Sequence, residues 1–427
     1  MITESWVDKI LYRIKKIIPK RVFNFFAPYY HALLSHAGAA YYRFPSNSMK
    51  VIGVTGTKGK STTVYMISKL LEEAGNKKVA AIGSLGFKIL DKEWPNTLKM
   101  TMPGRFRIHK FMARARDAGC EFCVLEVTSE GIKQRRHLGI NFDCAVFTNL
   151  HKEHIESHGS FDNYKKAKQE LFKRTKNIHV LNGDDMHVED FMNYPARKKV
   201  FYGISRGDIK AEKVQISPEK TTFIVYGTEF VSYLSGKFNV LNCLAALSTV
   251  AMYGIDLPTS QPIIAGIRSI PGRMEYIQKQ PFAVVVDYAH TPDSLREVYH
   301  TLKSQLAGGK LIGVLGAAGG GRDKWKRSEF GEAAAEYLDE IILTNEDPYE
   351  ENPESIISQI GQGLKGKEFR KLIDRKEAIG KAISLAEPGD TVVITGKGSE
   401  ISMAVAGGKK IPWSDKEIVL EFIKKNE

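Results

Sequence analysis

Residues 51–63 read V-I-G-V-T-G-T-K-G-K-S-T-T, in which glycines lead from a short apolar run to Lys60 and Ser61 at the start of a helical pattern. The apolar run predicts a buried strand, and the pattern that begins at Ser61 predicts a helix with one apolar face. Glycines let backbone N–H groups approach an anion closely, and the N-terminus of a helix adds positive potential. Lys60 can then contact the terminal phosphates of a nucleotide, and the hydroxyl group of Ser61 can bind Mg²⁺. The stretch therefore predicts a nucleoside triphosphate site, although Val54 stands where the strict motif has its first glycine; an ordinary glycine turn is the alternative.

Acidic residues and histidines follow two further predicted strands, where they could bind a metal ion. Glu126 ends an apolar strand, and a carboxylate beside a phosphate loop can bind Mg²⁺ directly or through water. The stretch from 148 to 159 carries three histidines, whose spacing is compatible with a zinc site or with surface polar residues. These histidines are His151, His154 and His158.

The composition favours an anionic partner but no particular one. Lys and Arg number 62 against 49 Asp and Glu, which gives a net charge of +13. Nucleic acid, an acidic membrane surface or a phosphate-bearing substrate would each suit this charge. The excess is spread over the chain, and no interleaved basic and aromatic patch is visible, so no nucleic acid is expected. No apolar run reaches the ~18 residues that a membrane span needs, and no signal peptide is visible, so a cytoplasmic protein is expected.

The four cysteines do not complete a metal site. Cys120 and Cys123 form one C-x-x-C, but no second pair follows at the spacing of a zinc site. Cys123 leads into an apolar run, so the sequence favours a buried thiol in a reducing cytoplasm.

Alternating strand and helix patterns predict an α/β protein with two main domains. The expected domains are a short helical segment at 1–47, a central nucleotide-binding domain with a mostly parallel sheet at 48–270, and a smaller Rossmann-like, doubly wound domain at 271–427. A period-two pattern between residues 209 and 234 predicts a hairpin insert. The predicted strands are 79–82, 122–127, 144–148, 283–287, 310–315, 340–344 and 391–395, and the predicted helices are 107–118, 164–175 and 240–252.

The first 47 residues differ in composition from the rest of the chain. A basic amphipathic pattern runs up to Pro19, and aromatic residues follow from Phe23 to Phe44. Such a segment is compatible with peripheral contact with a membrane surface, whereas helices docked on the next domain are the alternative that the pattern favours. The apolar face holds Ile10, Leu11, Ile14, Ile17 and Ile18, and the basic face holds Lys9, Arg13, Lys16 and Lys20.

Several ordered motifs resemble the central and C-terminal domains of the Mur ligases. The central matches are T-G-T-K-G-K-S-T-T at 55–63, L-E-V-T-S-E-G-I-K-Q-R-R at 125–136, and residues 142–172, which contain T-N-L-H-K-E-H-I-E-S-H-G. The C-terminal matches are G-K-F-N-V-L-N at 236–242, G-R-M-E at 272–275, D-Y-A-H-T-P-D-S-L at 287–295, G-R-D-K-W-K-R at 321–327 and G-K-G-S-E at 396–400. The branch that the chain resembles most is MurE, which adds the third amino acid to UDP-MurNAc-L-Ala-D-Glu.

The resemblance implies an ATP-dependent, ADP-forming amide ligase of peptidoglycan-type cell-wall synthesis. In this family ATP phosphorylates a carboxylate, an amine attacks the acyl phosphate, and ADP and phosphate leave, which requires cations around the transferring group. The expected cofactors are ATP and two Mg²⁺ ions, and the expected substrates are a muramyl peptide and a free diamino acid. A monomer in the cytoplasm is expected, and a peripheral membrane contact through residues 1–47 stays open beside the docked alternative.

The resemblance also implies roles for individual residues. Lys60 would hold the β- and γ-phosphates, while Ser61 and Glu126 would bind one Mg²⁺ ion and His154 a second. Lys168 matches the lysine that the family carbamylates, which matters because an ammonium group repels Mg²⁺ whereas a carbamate supplies an oxygen ligand. The residues implied to bind ATP are Gly56, Thr57, Gly59, Lys60, Ser61, Thr62, Asn242, Arg273, Asp287 and His290. The residues implied to bind the substrates are Thr101, Ser129, Arg136, Arg322, Asp347, Tyr349, Gly396 and Glu400.

The expected acceptor differs from that of the meso-diaminopimelate branch. Arg322 would pair with the carboxylate of the incoming amino acid, and Glu400 would accept a hydrogen bond from its ammonium group. Where that branch has D-N-P-R, this chain has E-D-P-Y at 346–349. The arginine that would bind a distal carboxylate is replaced by Tyr349, and the motif is more acidic. L-lysine or L-ornithine is therefore the expected acceptor.

The chain departs from the family pattern at four places. Glu130 stands where the branch has histidine, Met102 interrupts a T-T-P motif, and Ser399 replaces the histidine of G-K-G-H-E. Fewer than 50 residues precede the nucleotide-binding domain, where the family carries a uridine-diphosphate domain. A lipid-linked donor is therefore an alternative to a UDP-linked one.

Three other functions fit parts of the sequence. Another ligase of the superfamily, of the folylpolyglutamate or poly-glutamate type, would share the phosphate loop. A scaffold protein with a decayed site would have lost residues such as Lys60 and Lys168, which this chain keeps. A nucleic-acid-binding NTPase would suit the positive charge alone.

Overall fold

The chain forms two compact units. A computed structural model describes residues 20–98, 100–153, 155–217, 219–321 and 324–426. The first unit comprises Met1–His151, Asp162–Ala211 and Leu241–Ile263, and the second comprises Lys152–Phe161, Glu212–Val240 and Ile264–Glu427. The sequence predicts one boundary at residue 270, whereas these units place residues 152–161 and 212–240 with the C-terminal part of the chain.

Helices and strands alternate along most of the described chain. Up to residue 182 they are α1 (Lys20–Tyr41), β1 (Lys50–Thr55), α2 (Lys60–Lys69), β2 (Val79–Gly83), β3 (Gly86–Ile89), β4 (Lys92–Trp94), α3 (Arg105–Asp117), β5 (Phe122–Glu126), α4 (Ser129–Lys133), β6 (Phe142–Phe147), α5 (Ile155–His158), α6 (Phe161–Arg174) and β7 (Ile178–Asn182). From 188 to 266 they are α7 (Val188–Met192), β8 (Lys198–Gly203), β9 (Ile209–Lys210), β10 (Glu212–Ile216), β11 (Thr221–Val225), β12 (Thr228–Ser232), α8 (Lys237–Ala251) and α9 (Leu257–Gly266). The remaining elements are β13 (Glu275–Gln278), β14 (Ala283–Asp287), α10 (Pro292–Gln305), β15 (Leu311–Leu315), α11 (Lys326–Tyr337), β16 (Glu340–Leu343), α12 (Pro353–Gln362), β17 (Arg370–Lys371), α13 (Arg375–Leu385), β18 (Thr391–Thr395), β19 (Ser402–Val405), β20 (Lys409–Pro412) and α14 (Asp415–Asn426).

A nine-stranded sheet forms the centre of the first unit. Its order is β4-β3-β2-β5-β1-β6-β7-β8-β9. The seven strands from β2 to β9 in this order run parallel, and β3 and β4 form an antiparallel edge. Every residue of β5 is buried, and so is every residue of β1 after Lys50, as expected for the central strands of a parallel sheet. The loops that follow β1, β2, β5 and β6 therefore leave the same edge of the sheet.

The predicted insert is an antiparallel sheet of three strands, β10-β11-β12. Phe223 pairs with Phe230 across β11 and β12, and their rings stack with centroids 5.4 Å apart. Alternate residues of β11 are buried, which agrees with the period-two pattern in the sequence. The prediction of an antiparallel insert is confirmed, with one strand more than a hairpin.

A six-stranded sheet forms the centre of the second unit, in the order β13-β14-β18-β15-β16-β17. All neighbours are parallel except β13 and β14. One face of the sheet packs on α10, α11 and α12 through a core that includes Val285, Val393, Tyr299 and Phe330. The other face packs on α13 and α14 through Val284, Ile394, Ile379 and Val419. The second unit is thus the doubly wound domain that the sequence predicts.

Most predicted elements agree with the structure to within a few residues. β14 and β18 match the predicted strands 283–287 and 391–395 at both ends. α3 begins at Arg105, two residues earlier than predicted, directly after Pro103-Gly104. α6 begins at Phe161 instead of 164, with Asp162 in its first turn, where a carboxylate is favourable to the helix dipole. The mixed α/β fold class is confirmed.

Helix α1 packs on the first unit through one face. Ser35 and Ala39 are fully buried, and the hydroxyl group of Ser35 donates to the carbonyl oxygen of Arg135 at 2.7 Å. A methyl group at Gly38 would lie 3.2 Å from the ring of His109, so a glycine suits this close contact. The docked alternative is therefore confirmed for this helix, whereas the amphipathic pattern before Pro19 lies outside the described residues. Within the described part of the chain, no helix is both long and apolar enough to cross a membrane.

Two histidines are buried near this contact. His109 is fully buried, and burial lowers its pKa to about 4. His137 is almost fully buried, and burial lowers its pKa to about 3, with the charges of Arg174 and Arg135 acting in the same direction. Both imidazole rings are therefore neutral at physiological pH.

We expect the first unit to lose stability when the pH is lowered from 7.5 to 5. In the unfolded chain both histidines titrate near pH 6.5, so between pH 6.5 and 4 the unfolded state binds more protons than the folded state, and the free energy of unfolding falls as the pH falls. Each histidine should contribute a loss of about 2 kcal/mol at pH 5, measured by urea denaturation.

The variant His137→Gln should lose less stability between these two pH values than the wild type. The matched control is His300→Gln, because His300 is exposed and its replacement should leave the pH dependence unchanged. Equal pH dependence in all three proteins would contradict the assignment.

Candidate active site

The loop between β1 and α2 requires glycine at two positions. Gly56 and Gly59 have φ values of 153° and 79°. A methyl group at Gly56 would lie 1.9 Å from the hydroxyl oxygen of Thr148, and one at Gly59 would lie 2.3 Å from the amide oxygen of Asn242. Gly59 is also the residue before the first turn of α2 and offers no side chain to cap its N–H groups. These N–H groups are thus suited to bind an anion.

Residues that directly follow β6 form hydrogen bonds with this loop. Asn149 accepts from the backbone N–H of Lys58 at 2.8 Å, and its backbone carbonyl accepts from the N–H of Thr57 at 2.9 Å. The hydroxyl group of Thr148 donates to the carbonyl oxygen of Lys58 at 2.6 Å. The side chain of Thr57 lies 3.0 Å from the hydroxyl group of Tyr164 on α6. Hydrogen bonds with Thr148, Asn149 and Tyr164 therefore fix the conformation of the loop.

Two lysines converge on the carbonyl oxygen of Gly56. Lys60 donates to it at 2.9 Å and also to the carbonyl oxygen of Thr57 at 2.7 Å. Lys168, which is 2% exposed, donates to the same oxygen of Gly56 at 2.6 Å. Because both bonds end on one oxygen, two positive charges lie within a few ångströms of each other, and such a concentration of charge suits a polyphosphate.

The carboxylate of Glu126 lies at the same edge of the sheet. It is 1% exposed and accepts from the backbone N–H of Ser84 at 2.7 Å and from its hydroxyl group at 3.3 Å. The Ser84 hydroxyl oxygen lies 3.0 Å from that of Thr101. A methyl group at Gly83 would lie 2.3 Å from a carboxylate oxygen of Glu126, so glycine makes room for this carboxylate. Ser84 thereby connects a candidate metal ligand to a candidate substrate-binding residue.

The structure places the remaining predicted residues of the first unit as follows. Ser61 and Thr62 are buried in the first turn of α2, and Asn242 accepts from the hydroxyl group of Thr63 at 3.4 Å. Ser129 is buried in α4. Arg136 donates to the carbonyl oxygen of Met102 and to the side chain of Gln134, and burial lowers its pKa. His154 lies outside the described residues.

No group of three or more His, Cys, Asp or Glu side chains that could hold a metal ion is present in the described part of the chain. Cys123 is buried, as predicted, and so are the other three cysteines. The hydroxyl group of Ser61 and the carboxylate of Glu126 offer oxygen atoms, which suit Mg²⁺ better than zinc.

Three of the predicted nucleotide-binding residues meet around Tyr288 in the second unit. The guanidinium group of Arg273 lies 4.4 Å from the ring of Tyr288, and the ring of His290 lies 4.5 Å from it. Asp287 accepts from the backbone N–H groups of Met274 and Ala289 at 2.7 and 2.6 Å. Burial raises the pKa of Asp287, and the two backbone bonds oppose that effect. Asp287 therefore fixes the loop that carries Tyr288 and His290.

Two of the predicted acceptor residues, Asp347 and Glu400, belong to a charged cluster around Lys397. Lys397 is fully buried and donates to Asp347 at 3.0 Å and to Glu400 at 2.5 Å. Asp347 also accepts from the backbone N–H of Ala404 at 2.6 Å. The chain's own lysine thus neutralises much of the acidity that the sequence predicts for this motif.

Glu346 contributes a second carboxylate to this cluster. Burial raises its pKa, while Arg375 and Lys397 lower it. One carboxylate oxygen of Glu346 has no hydrogen-bond partner among the described residues. A methyl group at Gly396 would lie 2.4 Å from that oxygen, which explains the glycine there.

A glycine loop after β15 contacts the E-D-P-Y stretch. The backbone N–H of Gly319 donates to the carbonyl oxygen of Asp347 at 2.8 Å, and the side chain of Tyr349 packs against Gly320. Glu351 accepts from the N–H of Gly321 at 2.7 Å and from the buried Arg327 at 3.0 Å. Arg327 holds the pKa of Glu351 at about 2.

Arg322, the next residue after this loop, lies outside the described residues. Arg327 also donates to the carbonyl oxygen of Ala318 at 3.1 Å, so the Glu351–Arg327 pair holds both ends of the glycine loop.

Comparisons with known proteins decide the family. Residues 54–250 match the Mur ligase middle domain, and residues 272–398 match the Mur ligase, glutamate ligase domain. The UDP-N-acetylmuramoyl-L-alanyl-D-glutamate--2,6-diaminopimelate ligase 1 of Clostridium acetobutylicum is 37% identical over 395 residues, which cover 91% of this chain and 80% of that protein.

The chain belongs to the Mur ligase family.

Solved structures agree with this assignment. A solved UDP-N-acetylmuramoyl-L-alanyl-D-glutamate--2,6-diaminopimelate ligase matches this Mur ligase with a TM-score of 0.63 and 31% identity, over 92% of this chain and 83% of that one. The folylpolyglutamate synthase of Mycobacterium tuberculosis matches with a TM-score of 0.71 over 86% of this chain and 92% of that one, but at 20% identity that likeness extends to the fold alone.

Family membership confirms the predicted reaction class. This Mur ligase is an ATP-dependent, ADP-forming amide ligase of the class that serves peptidoglycan synthesis, and members of the family generally use Mg²⁺. The prediction of a Mur ligase of the MurE branch is likewise confirmed.

Sequence reasoning missed Ser84, Asn149 and Lys397 as parts of the site. Ser84 directly follows β2 at the edge where Glu126 lies, and this position after a predicted strand could have identified it as part of the site. Asn149 and Lys397 lie within motifs that resemble the family, but nothing in their spacing indicates that one would hold the phosphate loop and the other two carboxylates.

We expect Ser84→Ala to lower kcat about tenfold, because the variant loses the hydroxyl group that joins Glu126 to Thr101. The backbone bond to Glu126 remains, so thermal stability and the KM for ATP should change little. Ser84→Thr should retain activity, and Ser358→Ala on an exposed helix is the matched control. Wild-type kcat for Ser84→Ala in a coupled ADP-release assay would contradict the role of Ser84.

We expect Glu351→Gln to raise the KM for the amino acid about tenfold, because it weakens the hydrogen bonds that hold the loop before Arg322. The KM for ATP should stay within twofold, since neither Gly321 nor Arg327, to which Glu351 is bonded, is among the residues implied to bind ATP. Glu354→Gln changes an exposed neighbour and should have no effect. Equal losses for both substrates would instead indicate general destabilisation.

Proposed function

We propose that this Mur ligase phosphorylates a carboxyl group of a muramyl peptide with ATP and joins it to an amino group of a diamino acid. The observation that carries this proposal is the convergence of Lys60 and Lys168 on the carbonyl oxygen of Gly56, beside the buried carboxylate of Glu126. The curated relative from Clostridium acetobutylicum is named for a muramyl dipeptide and 2,6-diaminopimelate, which supports these two substrate classes.

The residues of the first unit would act mainly by placing positive charge. The N–H groups of the loop and of the first turn of α2 bind the phosphates, and Lys60 exchanges its bonds to the loop carbonyls for bonds to the β- and γ-phosphates. Ser61 and Glu126 would hold Mg²⁺, which neutralises charge on the transferring phosphoryl group. Thr101, Ser129 and Arg136 would orient the muramyl peptide.

A carbamate on Lys168 would resolve the crowding of charge at Gly56. Two ammonium groups on one oxygen repel each other, and Lys168 is too deeply buried for water to screen it well. Carbamylation would add CO₂ to the neutral amine of Lys168 with loss of a proton, which replaces the positive charge with a negative one and supplies an oxygen ligand. With His154 it would hold a second Mg²⁺ ion.

The second unit would bind the adenosine part of ATP and the amino acid. Arg273 and His290 flank the ring of Tyr288, and Asn242 of the first unit lies beside Gly59. Arg322 would pair with the carboxylate of the acceptor, and Glu400 with its ammonium group. A monomer would suffice for this reaction, because one chain supplies every residue named here. The ATP would come from the cytoplasm, where the reaction would take place.

The side chain of the acceptor would end close to Glu346. Its carboxylate oxygen next to Gly396 has no hydrogen-bond partner among the described residues, and Tyr349 stands where an arginine would bind a distal carboxylate. An amino group satisfies Glu346 better than a second carboxylate does. We therefore infer a preference for L-lysine or L-ornithine over meso-diaminopimelate.

The test is mass spectrometry of the product formed from ATP, UDP-MurNAc-L-Ala-D-Glu and an equimolar mixture of L-lysine, L-ornithine and meso-diaminopimelate. We expect a peptide extended by lysine or ornithine, and Glu346→Gln should lower kcat/KM for that amino acid about tenfold, whereas Glu368→Gln on the exposed surface should not. Extension by meso-diaminopimelate would contradict the proposed preference for lysine or ornithine but would still support the proposed ligase activity. ADP formation without extension of any UDP-linked peptide would point to a lipid-linked donor.

A further inference from the structure

Helix α1 carries a stripe of large apolar side chains on its exposed face. Phe26, Tyr29 and Leu33 are 58%, 71% and 69% exposed, and Tyr30 beside them is 36% exposed. Their spacing places them on one side of the helix, opposite the face that Ser35 and Ala39 bury. Most single exposed apolar residues need no explanation, but a stripe of four on one helix indicates a surface that is covered at some stage. We call these four residues the aromatic stripe.

The surface continues onto the neighbouring helix α3. The ring of Tyr41, at the end of α1, lies 6.3 Å from that of Phe106, and Arg116 donates to the carbonyl oxygen of Tyr42 at 3.0 Å. Phe106, Lys110 and Arg114 are exposed and four residues apart, so they lie along one face of α3. The surface is thus apolar along α1 and basic along α3.

The charge of this region is mainly positive. Residues 20–50 contain Lys20, Arg21, Arg43 and Lys50 but no aspartate or glutamate. Asp117, the acidic residue of α3, is paired with Arg116 at 2.9 Å. Two copies of the same surface placed face to face would bring like charges together, so a second copy of this chain is a poor occupant.

We propose that the aromatic stripe and the basic face of α3 dock this protein on an anionic lipid surface. Aromatic and leucine side chains on one face of a helix enter the interface between headgroups and acyl chains, and nearby lysines and arginines are attracted to anionic lipids. Tyrosine suits this position because its ring is apolar while its hydroxyl group stays hydrated. The sequence before α1 likewise combines isoleucines with Lys9, Arg13 and Lys16.

The test is flotation of the full chain with vesicles of phosphatidylcholine alone or mixed with phosphatidylglycerol. We expect binding to the anionic vesicles that weakens as the salt concentration rises. The variant Phe26→Ser/Tyr29→Ser/Leu33→Ser should bind at least tenfold more weakly. A matched control, Tyr226→Ser/Phe369→Ser/Ile373→Ser, changes exposed apolar residues elsewhere and should bind like the wild type.

A second variant separates docking from misfolding. Lys110→Glu/Arg114→Glu keeps the stripe and should lose the preference for anionic vesicles, with unchanged circular dichroism. The proposal is overturned if the wild type does not bind either vesicle or if both variants bind like the wild type. It is also overturned if light scattering shows that the stripe variant converts a dimer into a monomer, because the occupant would then be a second copy. None of these measurements requires ligase activity.

Discussion

The candidate active site of the first unit depends on a concentration of positive charge at the carbonyl oxygen of Gly56. Two ammonium groups, those of Lys60 and Lys168, donate to this one oxygen, and uncapped N–H groups at the start of α2 lie beside it. Like charges this close repel each other, and a bound anion would reduce that repulsion. The glycines of the loop, the hydrogen bonds from Thr148 and Asn149, and the position of Glu126 are consistent with the proposal that these charges surround a polyphosphate.

The phosphate loop could be predicted from the sequence because it is local. Strand, glycine turn and Lys-Ser helix start are adjacent in the chain, and α2 begins at Lys60, one residue before the predicted start at Ser61. The doubly wound second unit could be predicted for the same reason, since each buried strand is a continuous apolar run. Family motifs then indicated the reaction class.

Long-range contacts could not be predicted. Residues 212–240 belong to the compact unit of the C-terminal half although they precede the predicted boundary. The acidity of the E-D-P-Y stretch looked unopposed in sequence, but Lys397, 50 residues away from Asp347, neutralises part of it. Glu346 keeps its role in the proposed specificity because its environment is set by burial, which no local pattern reveals. The charge and aromatic content did indicate that the N-terminal region differs from the rest of the chain. Only the packing of α1, however, separates its buried face from its exposed face.

The most direct test of this account is a crystal structure with Mg²⁺ and a non-hydrolysable ATP analogue. We predict that the triphosphate lies against the turn from Gly56 to Ser61, with the ammonium group of Lys60 moved from the loop carbonyls to the β- and γ-phosphates. Electron density for Mg²⁺ should lie between Ser61 and Glu126. A triphosphate bound anywhere else, with Lys60 still on the carbonyl oxygens of Gly56 and Thr57, would contradict the account.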